Sequence, residues 1–597
     1  MVRNLFCKSV KNFVRLKFEN KVVLITGSGT GIGMTVAKKF VESGASVIIL
    51  GRRKEPLEST SEMLTKIINE KNSNGFVKIF SGVDVSDEKA ITEMFDTLKN
   101  EGVNVDIVVN NAGVSGPVTC FAHAPLEDFR STVDIHLTGT FWTSVQALKV
   151  MKEGAKIITI STFFAEERPL EQRPYRFRGP YTAAQGAKNR LVEAMSWELT
   201  EKGIVSIGTN PGPVHSDRIY KTVYPKAASE FLRVSGFEEL IPTEVEIVNK
   251  EILGLLGESE ETIKNGIKAA AEKLGKQEST LTNLLNKVQS IAEKIQKNTS
   301  TMIPDQQFLS QDQVATTILT LADDDQAKIL NGKIIPGDRV FYPVRSHITS
   351  IPETVKQYDY SSKIAVLTID ATDEEDAKRA EEIAANIESN GGQAICFISD
   401  KCSKEVQDSI TNKFHSHVID FSKNEEITRW FNTAKSKGDI EVFIHITGKI
   451  PNISRLTELS RKEWDGLTNK FINIPATVSQ NAMNIFVPNG SNDPRLFKDA
   501  TGRIVIIGPD LPYGKKIGGG ERAKVEVFRG ALRPFATTVN QELSDVLKSN
   551  VRVFLVLAGA VDGKEPNNAR ITDAINYSIS NDSKSSAEVI FCPDESR

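Results

Sequence analysis

Short apolar runs and helical stripes alternate along this chain from its first strand to its end. Apolar runs at 22–25 and 47–50 flank a segment in which apolar residues recur every three or four positions. A short continuous run is typical of a buried strand and a recurring stripe of an amphipathic helix, so this stretch predicts strand, helix, strand. A glycine-rich turn, "TGSGTGIG", separates the first strand from the helix.

The same alternation then begins a second time. The segments "KIAVLTID", "AICFISD", "SHVIDFS", "EVFIHITG", "GRIVIIGPD" and "NVRVFLVLAG" follow the order of the first half's strands. Alternating strands and helices predict parallel sheets, and 597 residues exceed the size of a single core. We therefore expect an α/β protein with two tandem Rossmann-like, doubly wound parallel-sheet domains, the second of them degenerate. The predicted segments are a lead-in at 1–19, a first domain at 20–345, a linker at 346–362 and a second domain at 363–597.

A stretch of the first domain is helical rather than alternating. Between 244 and 298, apolar residues form two stripes at helical spacing, one around Ile267 and one around Leu284. We predict a helical insertion at about 226–305, with Ser259 and Ser279 as N-caps.

Composition and charge narrow the classes of function. A net charge of −3 gives no electrostatic attraction for nucleic acid, and no apolar run approaches the roughly 18 residues of a membrane span. The five cysteines are scattered and no histidine cluster accompanies them, which predicts a reducing compartment and no metal site. The basic, acid-free start before Glu19 has two interpretations, a mitochondrial transit segment or a short lead-in to the first strand. We favour the lead-in and expect a cytoplasmic protein.

The glycine turn has a physical interpretation of its own. Gly27 permits a tight turn, Gly31 lets the backbone approach a pyrophosphate, and Gly33 lets the helix pack on the strand. The N–H groups at the start of the helix would then face the phosphates. Glycine turns without ligands are common, so this pattern needs support from the rest of the sequence.

That support comes from four further elements in a fixed order. They are "DVS" at 84–86, "NNAG" at 110–113, "YTAAQ" at 181–185 and "NPG" at 210–212. Together with the glycine turn they resemble the short-chain dehydrogenase/reductase family over roughly 20–345. The resemblance implies an oxidoreductase that transfers hydride to or from a nicotinamide cofactor, with the helical insertion at the position of the family's substrate lid. Whether the insertion covers the pocket or docks on a partner subunit stays open.

The resemblance also implies the cofactor and its residues. Where NAD-dependent members carry an acidic residue, this chain has Gly51 followed by Arg52 and Arg53, which suit the 2′-phosphate of NADP(H). The alternative is a pair of solvated surface arginines. The expected cofactor-binding residues are Gly27, Ser28, Thr30, Gly31, Ile32, Gly33, Arg52, Arg53, Asp84, Val85, Asn111, Ala112, Gly113, Pro211, Gly212, Val214 and Ser216.

The catalytic positions implied by the resemblance are only partly kept. Tyr181 takes the position of the acid–base tyrosine, and Thr162, with Ser161 beside it, that of the serine that holds the substrate oxygen. The family's lysine is replaced by Gln185 and its asparagine by His136. A cation beside a tyrosine stabilises the phenolate, and Gln185 carries no charge.

Two residues could supply the missing charge. Lys188 lies about 10 Å beyond Tyr181 along the helix, which makes it a poor substitute. An imidazolium at His136 could supply the charge or relay a proton. The other interpretation of His136 is a packed or water-bonded histidine in a retired site.

Arginines near the mouth of the site point to the substrate. Arg178 and Arg218 are candidates for binding an anionic group, and Arg168, Arg173 and Arg176 lie in the same long connection as Arg178. The alternative is a solvated loop neutralised by its glutamates. A small anionic substrate follows from the first interpretation.

The second half lacks this chemistry. "DATDEEDA" stands in place of the glycine turn, and Val525, Arg529, Pro509 and Phe471 stand at the tyrosine, lysine, serine and asparagine positions. We expect a dimerisation or support module, and a homo-oligomer such as a dimer. The layout and the segments "PGPVHSDRI" and "NGKIIPGDRVFYPVRS" resemble the N-terminal half of bifunctional malonyl-CoA reductases, which reduces malonate semialdehyde with NADPH.

Two functions remain after the sequence is read. The first is an NADPH-dependent carbonyl reductase acting on a small acidic aldehyde or ketone. The second is an NADP(H)-binding pseudoenzyme that senses the cofactor or scaffolds a partner.

Overall fold

Each half of the chain forms a parallel sheet with helices on both of its faces. The computed structural model describes residues 17–163, 176–214, 223–301, 303, 305–337, 348–352, 354–371, 373–451, 455–488, 493–510, 519–558, 568–580 and 589–592. The predicted fold class, two tandem doubly wound parallel-sheet domains, is confirmed.

The first sheet has seven strands within the described residues. They are β1 Val22–Thr26, β2 Ser46–Gly51, β3 Val77–Ser81, β4 Ile107–Asn110, β5 Lys156–Ile160, β6 Val205–Pro211 and β7 Ile334–Gly337. Their spatial order is β3-β2-β1-β4-β5-β6-β7, so the order reverses at β1, between β2 and β4. Ligands bind outside the carboxyl ends of the strands at such a switch point. Strand β1 is in register with both neighbours, since Val23 pairs with Val47 and with Ile107.

The helices of the first half cover this sheet. They are α1 Gly31–Glu42, α2 Lys54–Glu70, α3 Glu88–Asn100, α4 Leu126–Val133, α5 Gly139–Ala147, α6 Gly179–Leu199, α7 Tyr224–Ser235, α8 Pro242–Ile252, α9 Glu260–Leu274, α10 Glu278–Ser300, α11 Gln311–Leu321 and α12 Asp324–Ile329. A π-helical turn, Asp134–Thr138, joins α4 to α5.

The second sheet repeats the first and gains one strand. Its strands are β8 Ile348–Ser350, β9 Ile364–Ile369, β10 Gln393–Ser399, β11 His415–Ile419, β12 Ile440–Ile446, β13 Thr501–Ile507, β14 Asn550–Ala558 and β15 Val589–Cys592. The order β11-β10-β9-β12-β13-β14-β15-β8 is that of the first sheet with β8 added at the edge. Strand β8 lies within 346–362, the segment predicted as a linker, and pairs with β15. Three residues are too short to be recognised from their pattern.

In the part of the second half that the structure describes, the helices correspond to those of the first, without the insertion. They are α13 Glu374–Ser389, α14 Lys404–Thr411, α15 Asn424–Lys435, α16 Arg461–Thr468, α17 Ile474–Phe486, α18 Gly519–Gln541 and α19 Asn568–Ser580. A π-helical turn, Asn469–Asn473, recurs between α16 and α17.

Among the described residues, the predicted helical insertion is a group of four helices, α7 to α10. The predicted stripes around Ile267 and Leu284 face each other and also pack on α7 and α8. Ser259 caps α9 by accepting from the Thr262 backbone N–H, as expected. Helix α10 begins at Glu278 with Gln277 as its N-cap, so the prediction of Ser279 as a cap is wrong. The insertion borders the cleft through Val223, and α7 also packs against the second half, near 494–499.

The two halves are joined through equivalent helices. Helices α6 and α18 cross at Gly186 and Gly530, where a Cβ on Gly186 would lie 2.1 Å from the Gly530 carbonyl oxygen and a Cβ on Gly530 would lie 2.9 Å from that of Gly186. Only glycine permits this approach from both sides, and the reciprocity is that of a pseudo-twofold axis.

Buried glutamates at equivalent positions reinforce this interface. Glu198 of α6 accepts hydrogen bonds from the Leu456 and Thr457 backbone N–H groups at 2.6 and 2.9 Å. Glu542, its counterpart after α18, accepts from the Phe121 N–H at 2.7 Å. One hydrophobic core runs through both halves, and the stacked rings of Phe141 and Trp464 lie 3.7 Å apart within it.

Candidate active site

A cleft of about 1150 Å³ opens at the carboxyl ends of the first sheet's strands. It brings together most of the residues that the sequence singled out. Those lining it are Gly27, Thr30, Gly31, Ile32, Arg52, Arg53, Asp84, Val85, Asn111, Ala112, Gly113, His136, Ser161, Thr162, Arg178, Tyr181, Gln185, Pro211, Gly212 and Val214. Ser216 and Arg218, like Arg168 and Arg173, lie outside the described residues.

The glycine turn leaves the start of α1 open to a ligand. Gly27 has a φ of +65°, and a Cβ on Gly33 would lie 2.5 Å from the Gly27 carbonyl oxygen, whereas nothing lies within 4 Å of a Cβ on Gly31. Thr30, the N-cap, makes no side-chain bond to the first turn, and no acidic residue lies in that turn. Its N–H groups and the helix dipole therefore suit an anion such as a pyrophosphate.

Ser28 and Gly33 support the turn rather than line the cleft. The Ser28 hydroxyl donates to the Ile25 carbonyl at 2.9 Å and accepts from the Leu50 N–H at 3.0 Å. These bonds join the end of β1 to β2, so Ser28 fixes the turn's position.

The two predicted arginines, Arg52 and Arg53, also line the cleft, directly after β2. Arg52 follows β2 with a side chain that is 61% exposed, and it lies 3.5 Å from the Asp84 carboxylate. Asp84 also accepts from the backbone N–H and the hydroxyl of Ser86. An exposed guanidinium held at the cleft mouth has the geometry and charge to bind a phosphate group.

The "NNAG" segment is braced against the glycine turn. The Asn111 amide donates to the carbonyls of Thr26 and Gly27 at 2.9 and 3.1 Å. The Thr26 hydroxyl accepts from the Asn111 and Ala112 backbone N–H groups. A Cβ on Gly113 would lie 2.5 Å from His136, so the histidine ring rests directly on this segment.

His136 is a neutral histidine and not the cation that the sequence suggested. It lies in the π-helical turn after α4, is 3% exposed, and its Nε2 is 2.9 Å from the Val114 carbonyl oxygen, to which it donates. Burial, followed by the charge of Lys188, lowers the pKa of His136 to about 3. The expectation of an imidazolium is therefore wrong, because the ring is desolvated and two cations, Lys188 and Arg178, act against its protonation.

Tyr181 lies in the first turn of α6, between an arginine and this histidine. The Arg178 guanidinium carbon is 4.2 Å from the centroid of the Tyr181 ring, and the His136 ring meets it edge-on at 5.2 Å. Arg178 is buried and donates to the Ser115 carbonyl at 2.6 Å. A buried guanidinium thus stacks on the proposed acid–base residue.

Gln185 binds to the end of β5 instead of supplying charge. The Ser161 hydroxyl donates to the Gln185 side-chain oxygen at 3.3 Å and to its backbone carbonyl at 3.2 Å. Thr162, the next residue, is buried and lines the cleft. Gln185 therefore ties the tyrosine helix to the strand that presents Thr162.

Lys188 also belongs to the site, although its spacing from Tyr181 predicts a poor substitute for the family's lysine. It is 1% exposed, lines the cleft, and makes no ion pair with any residue that the structure describes. Burial lowers the pKa of Lys188 to about 7. Helical side chains point toward the helix N-terminus, so the axial distance between Cα positions overstated its separation from Tyr181.

Comparison with known proteins gives the class. The family model described as short chain dehydrogenase matches residues 21–224. A 3alpha-hydroxysteroid dehydrogenase of Mediterraneibacter gnavus is 32% identical over 209 residues, which are 35% of this chain and 78% of that protein. A 7alpha-hydroxysteroid dehydrogenase of Escherichia coli is 26% identical over 231 residues, 38% of this chain and 85% of that protein. This chain belongs to the short-chain dehydrogenase/reductase family of oxidoreductases, whose members use a nicotinamide cofactor.

Solved structures extend the similarity of fold to the second half. The N-domain of a bacterial malonyl-CoA reductase, solved with NADP, has a TM-score of 0.69 at 15% identity and covers 97% of this chain and 98% of its own. The C-domain of a bacterial malonyl-CoA reductase, also with NADP, has a TM-score of 0.72 at 16% identity, covering 97% and 99%. Both share the tandem arrangement of the two sheets.

Within the described residues, no helix combines the length and the apolar character that a membrane span needs.

Proposed function

We propose that this protein is an NADPH-dependent carbonyl reductase that acts on a small acidic aldehyde or ketone, such as a semialdehyde. The observation that carries the proposal is one continuous cleft that holds an open helix N-terminus at one end and Tyr181, with Arg178 stacked on it, at the other. That arrangement supplies a place for a phosphorylated cofactor, a proton donor and a buried cation.

The residues of the first half fit the cofactor. The N–H groups at the start of α1 would hold the pyrophosphate, Asp84 and Val85 the adenine, and Asn111 to Gly113 the ribose. The solved malonyl-CoA reductase domains, which are similar in fold, are described with NADP. The bound nicotinamide supplies the hydride.

Arg52 is the residue that we expect to select NADPH over NADH, because only NADPH carries a 2′-phosphate. Arg52→Ala should weaken NADPH binding about tenfold and leave NADH binding almost unchanged, measured by fluorescence titration. Lys54→Ala, two residues further along the chain at the exposed start of α2, is the matched control and should leave both affinities as they are. Equal losses for NADPH and NADH in Arg52→Ala would refute this assignment.

The chain's own residues handle the carbonyl. The Tyr181 hydroxyl donates a proton to the substrate oxygen as that oxygen gains negative charge, and the Thr162 hydroxyl holds the same oxygen. Arg178 lies beside the phenol, where its charge attracts the substrate's carboxylate and stabilises the phenolate that remains. Burial strengthens both effects.

A pseudoenzyme that binds NADP(H) is the second candidate. The observation that favours it is the neutral pair at the two altered positions, Gln185 and His136. Such a protein would bind the cofactor through the same glycine turn and arginines. The two candidates therefore differ in turnover and not in binding.

Single-turnover oxidation of bound NADPH separates them. Enzyme loaded with one equivalent of NADPH is mixed with malonate semialdehyde, succinate semialdehyde, β-ketoacyl compounds or the uncharged propanal. We expect oxidation with the acidic carbonyls and little with propanal, and loss of that preference in Arg178→Met. Arg176→Met is the control, because Arg176 pairs with Asp545 at 2.7 Å. Tight NADPH binding without oxidation by any carbonyl would favour the pseudoenzyme.

The second half, in this proposal, supports the tyrosine helix. Helix α18 packs along α6, and the reciprocal bonds of Glu198 and Glu542 join the halves. The domain boundaries at 20–345 and 363–597 stay a prediction, as does the homo-oligomer. One NADPH per chain in a calorimetric titration is the expected stoichiometry, and two per chain would overturn the support role.

A further inference from the structure

Lys188 is a buried cation for which the fold gives no structural reason. Its side chain is 1% exposed on α6, and the structure shows neither a hydrogen bond nor an ion pair for its ammonium within the described ranges. Burying an ammonium without partners costs several kcal/mol in general, and lysines are seldom found fully buried unless paired.

Another buried lysine shows how this fold treats a structural one. Lys156 of β5, whose side chain is 4% exposed, donates to the Asp324 carboxylate at 2.5 Å and to the Gly154 carbonyl at 3.3 Å. That lysine is not among the residues that line the cleft, and its ammonium has two partners. Lys188 lines the cleft and has no such partner among the residues that the structure describes, which indicates a group kept for the cleft's chemistry.

The position of Lys188 relates it to the altered catalytic residues. It follows Gln185 by three residues on α6, so the two side chains share a face of the helix. Lys188, His136 and Tyr181 line the same cleft, and the His136 ring meets the Tyr181 ring edge-on. The charge of Lys188 also contributes to the lowered pKa of His136. Within the described ranges, the charged and titratable groups around this part of the cleft are His136, Tyr181, Arg178 and Lys188 itself.

We propose that Lys188 supplies the active-site cation that Gln185 does not, reaching from the next helical turn to stabilise the phenolate of Tyr181. Gln185 is then free to tie α6 to β5 through Ser161, so one lysine's role is divided between two residues. Lys188 in this view is a positioning and charge-supplying residue, and the inference rests on the proposed function. Its depressed pKa of about 7 is consistent with a desolvated group facing the cleft.

The first test needs neither cofactor nor turnover. Phenolate absorbance is measured as a function of pH in the wild type and in Lys188→Met. Each titration is repeated with Tyr181→Phe added, and subtracting the second spectrum from the first leaves the signal of Tyr181 alone. A phenolate beside Lys188 would keep the lysine protonated above pH 7, so the two groups titrate as a coupled pair. Removing Lys188 should then move the midpoint of this signal to higher pH by about one unit or more. An unchanged midpoint would overturn the inference.

Thermal melts of the same proteins distinguish a functional lysine from a structural one. The pKa of Lys188 is lowered to about 7 in the folded protein. Between about pH 7 and pH 10 the unfolded chain therefore binds more protons than the folded protein, and stability rises with pH over this range. The cost of burying the charged ammonium is then largest at or below pH 7. Lys188→Met should therefore melt higher than the wild type at pH 6.5, with a smaller difference at pH 9.5. Lys156→Met, the matched control, should melt lower than the wild type.

Single-turnover kinetics complete the experiment. Lys188→Met should reduce the rate of NADPH oxidation about a hundredfold, and Gln185→Lys added to Lys188→Met should restore at least a tenfold part of it. An unchanged rate in Lys188→Met, or no recovery in the double variant together with an unchanged phenolate midpoint, would overturn the inference. If the wild type oxidises no NADPH, the proposed function fails, while the phenolate titration still decides whether Lys188 acts on Tyr181.

Discussion

The two equivalent helix starts, those of α1 and α13, have the same backbone position and opposite chemistry. Thr30 caps α1 without a side-chain hydrogen bond, and its first-turn N–H groups face the cleft. Asp373 caps α13 by accepting from the Glu375 and Asp376 N–H groups, both at 3.1 Å. In the second half, the donors that would bind a phosphate are used within the chain.

The rest of the second half's switch point is occupied in the same way. Lys449 lies against the start of α13, with its ammonium 2.9 Å from the Asp373 carboxylate and its N–H bonded to Asp376. The buried Arg379 pairs with Asp510. A sheet of this type therefore keeps its shape when internal ion pairs replace a ligand, and the difference between the halves lies in side chains at strand ends rather than in topology.

The largest expected difference between the halves is catalytic. Tyr181→Phe should lower the single-turnover rate by about 10²-fold to 10⁴-fold, because the proton donor is removed while the ring is kept. Val525→Ala, at the equivalent position of α18, should leave the rate per folded molecule unchanged. If Tyr181→Phe kept the wild-type rate, Tyr181 would not be the proton donor, and the two halves would not differ at this position.

The interface glycines test whether the two halves are equivalent as structure. Gly186→Ala should lower the free energy of unfolding by about 1–3 kcal/mol, since its Cβ would lie 2.1 Å from the Gly530 carbonyl oxygen and α6 and α18 would have to separate. Gly530→Ala should cost a similar amount, because Gly186 and Arg190 approach it in turn. Urea denaturation measures both.

Gly466→Ala is the control for these two variants. Gly466 lies in α16 with nothing within 4 Å of its would-be Cβ. Alanine there should stabilise the helix by up to about 1 kcal/mol. Stabilisation by Gly186→Ala would contradict the close packing of the two helices.

Exchanging the N-caps should convert one helix start into the other. Thr30→Asp places a carboxylate where the cofactor's phosphates are expected and should weaken NADPH binding at least tenfold, about 1.4 kcal/mol, without lowering the melting temperature. Asp373→Thr is the reciprocal change, and it should leave NADPH affinity unaltered while slightly lowering stability. NADPH binding that survives Thr30→Asp would mean that the cofactor does not use this helix.

The smallest expected effect concerns Glu542, the interface glutamate of the second half. Burial raises the pKa of Glu542 to about 8, and the nearby Glu230 contributes, although the Phe121 N–H acts in the opposite direction. The folded state therefore binds more protons than the unfolded state between about pH 4.5 and 8, and stability falls as the pH rises toward 8. From pH 7 to 8 the loss should be roughly 1 kcal/mol.

Glu542→Gln should remove that pH dependence, because an amide keeps an oxygen for the Phe121 N–H and cannot ionise. Urea denaturation at pH 6, 7 and 8 makes the comparison. An equally steep fall in the variant would assign the dependence to another group.

The sequence predicted the sheets because their strands are buried on both faces and leave long apolar runs. It missed β8, whose three residues carry no pattern and gain their place only by pairing with β15. The charge of His136 stayed open because a sequence does not show burial, and burial beside two cations keeps the ring neutral. The spacing along the helix predicts that Lys188 is too far from Tyr181 to replace the family's lysine. What Lys188 can reach is decided by the direction of its side chain, which the spacing does not show.

The crossing of α6 and α18 determines how the active-site helix behaves when the protein is diluted. When a protein relies on a second copy to cover its active-site helix, that cover is governed by mass action and is lost at low concentration. Here the covering helix is part of the same chain, so its effective concentration is fixed by the connection between the halves. In a homodimer a substitution beside the interface glycine would appear in both copies, whereas a substitution beside Gly530 appears once per molecule. One half can therefore lose its chemistry while the other half retains it.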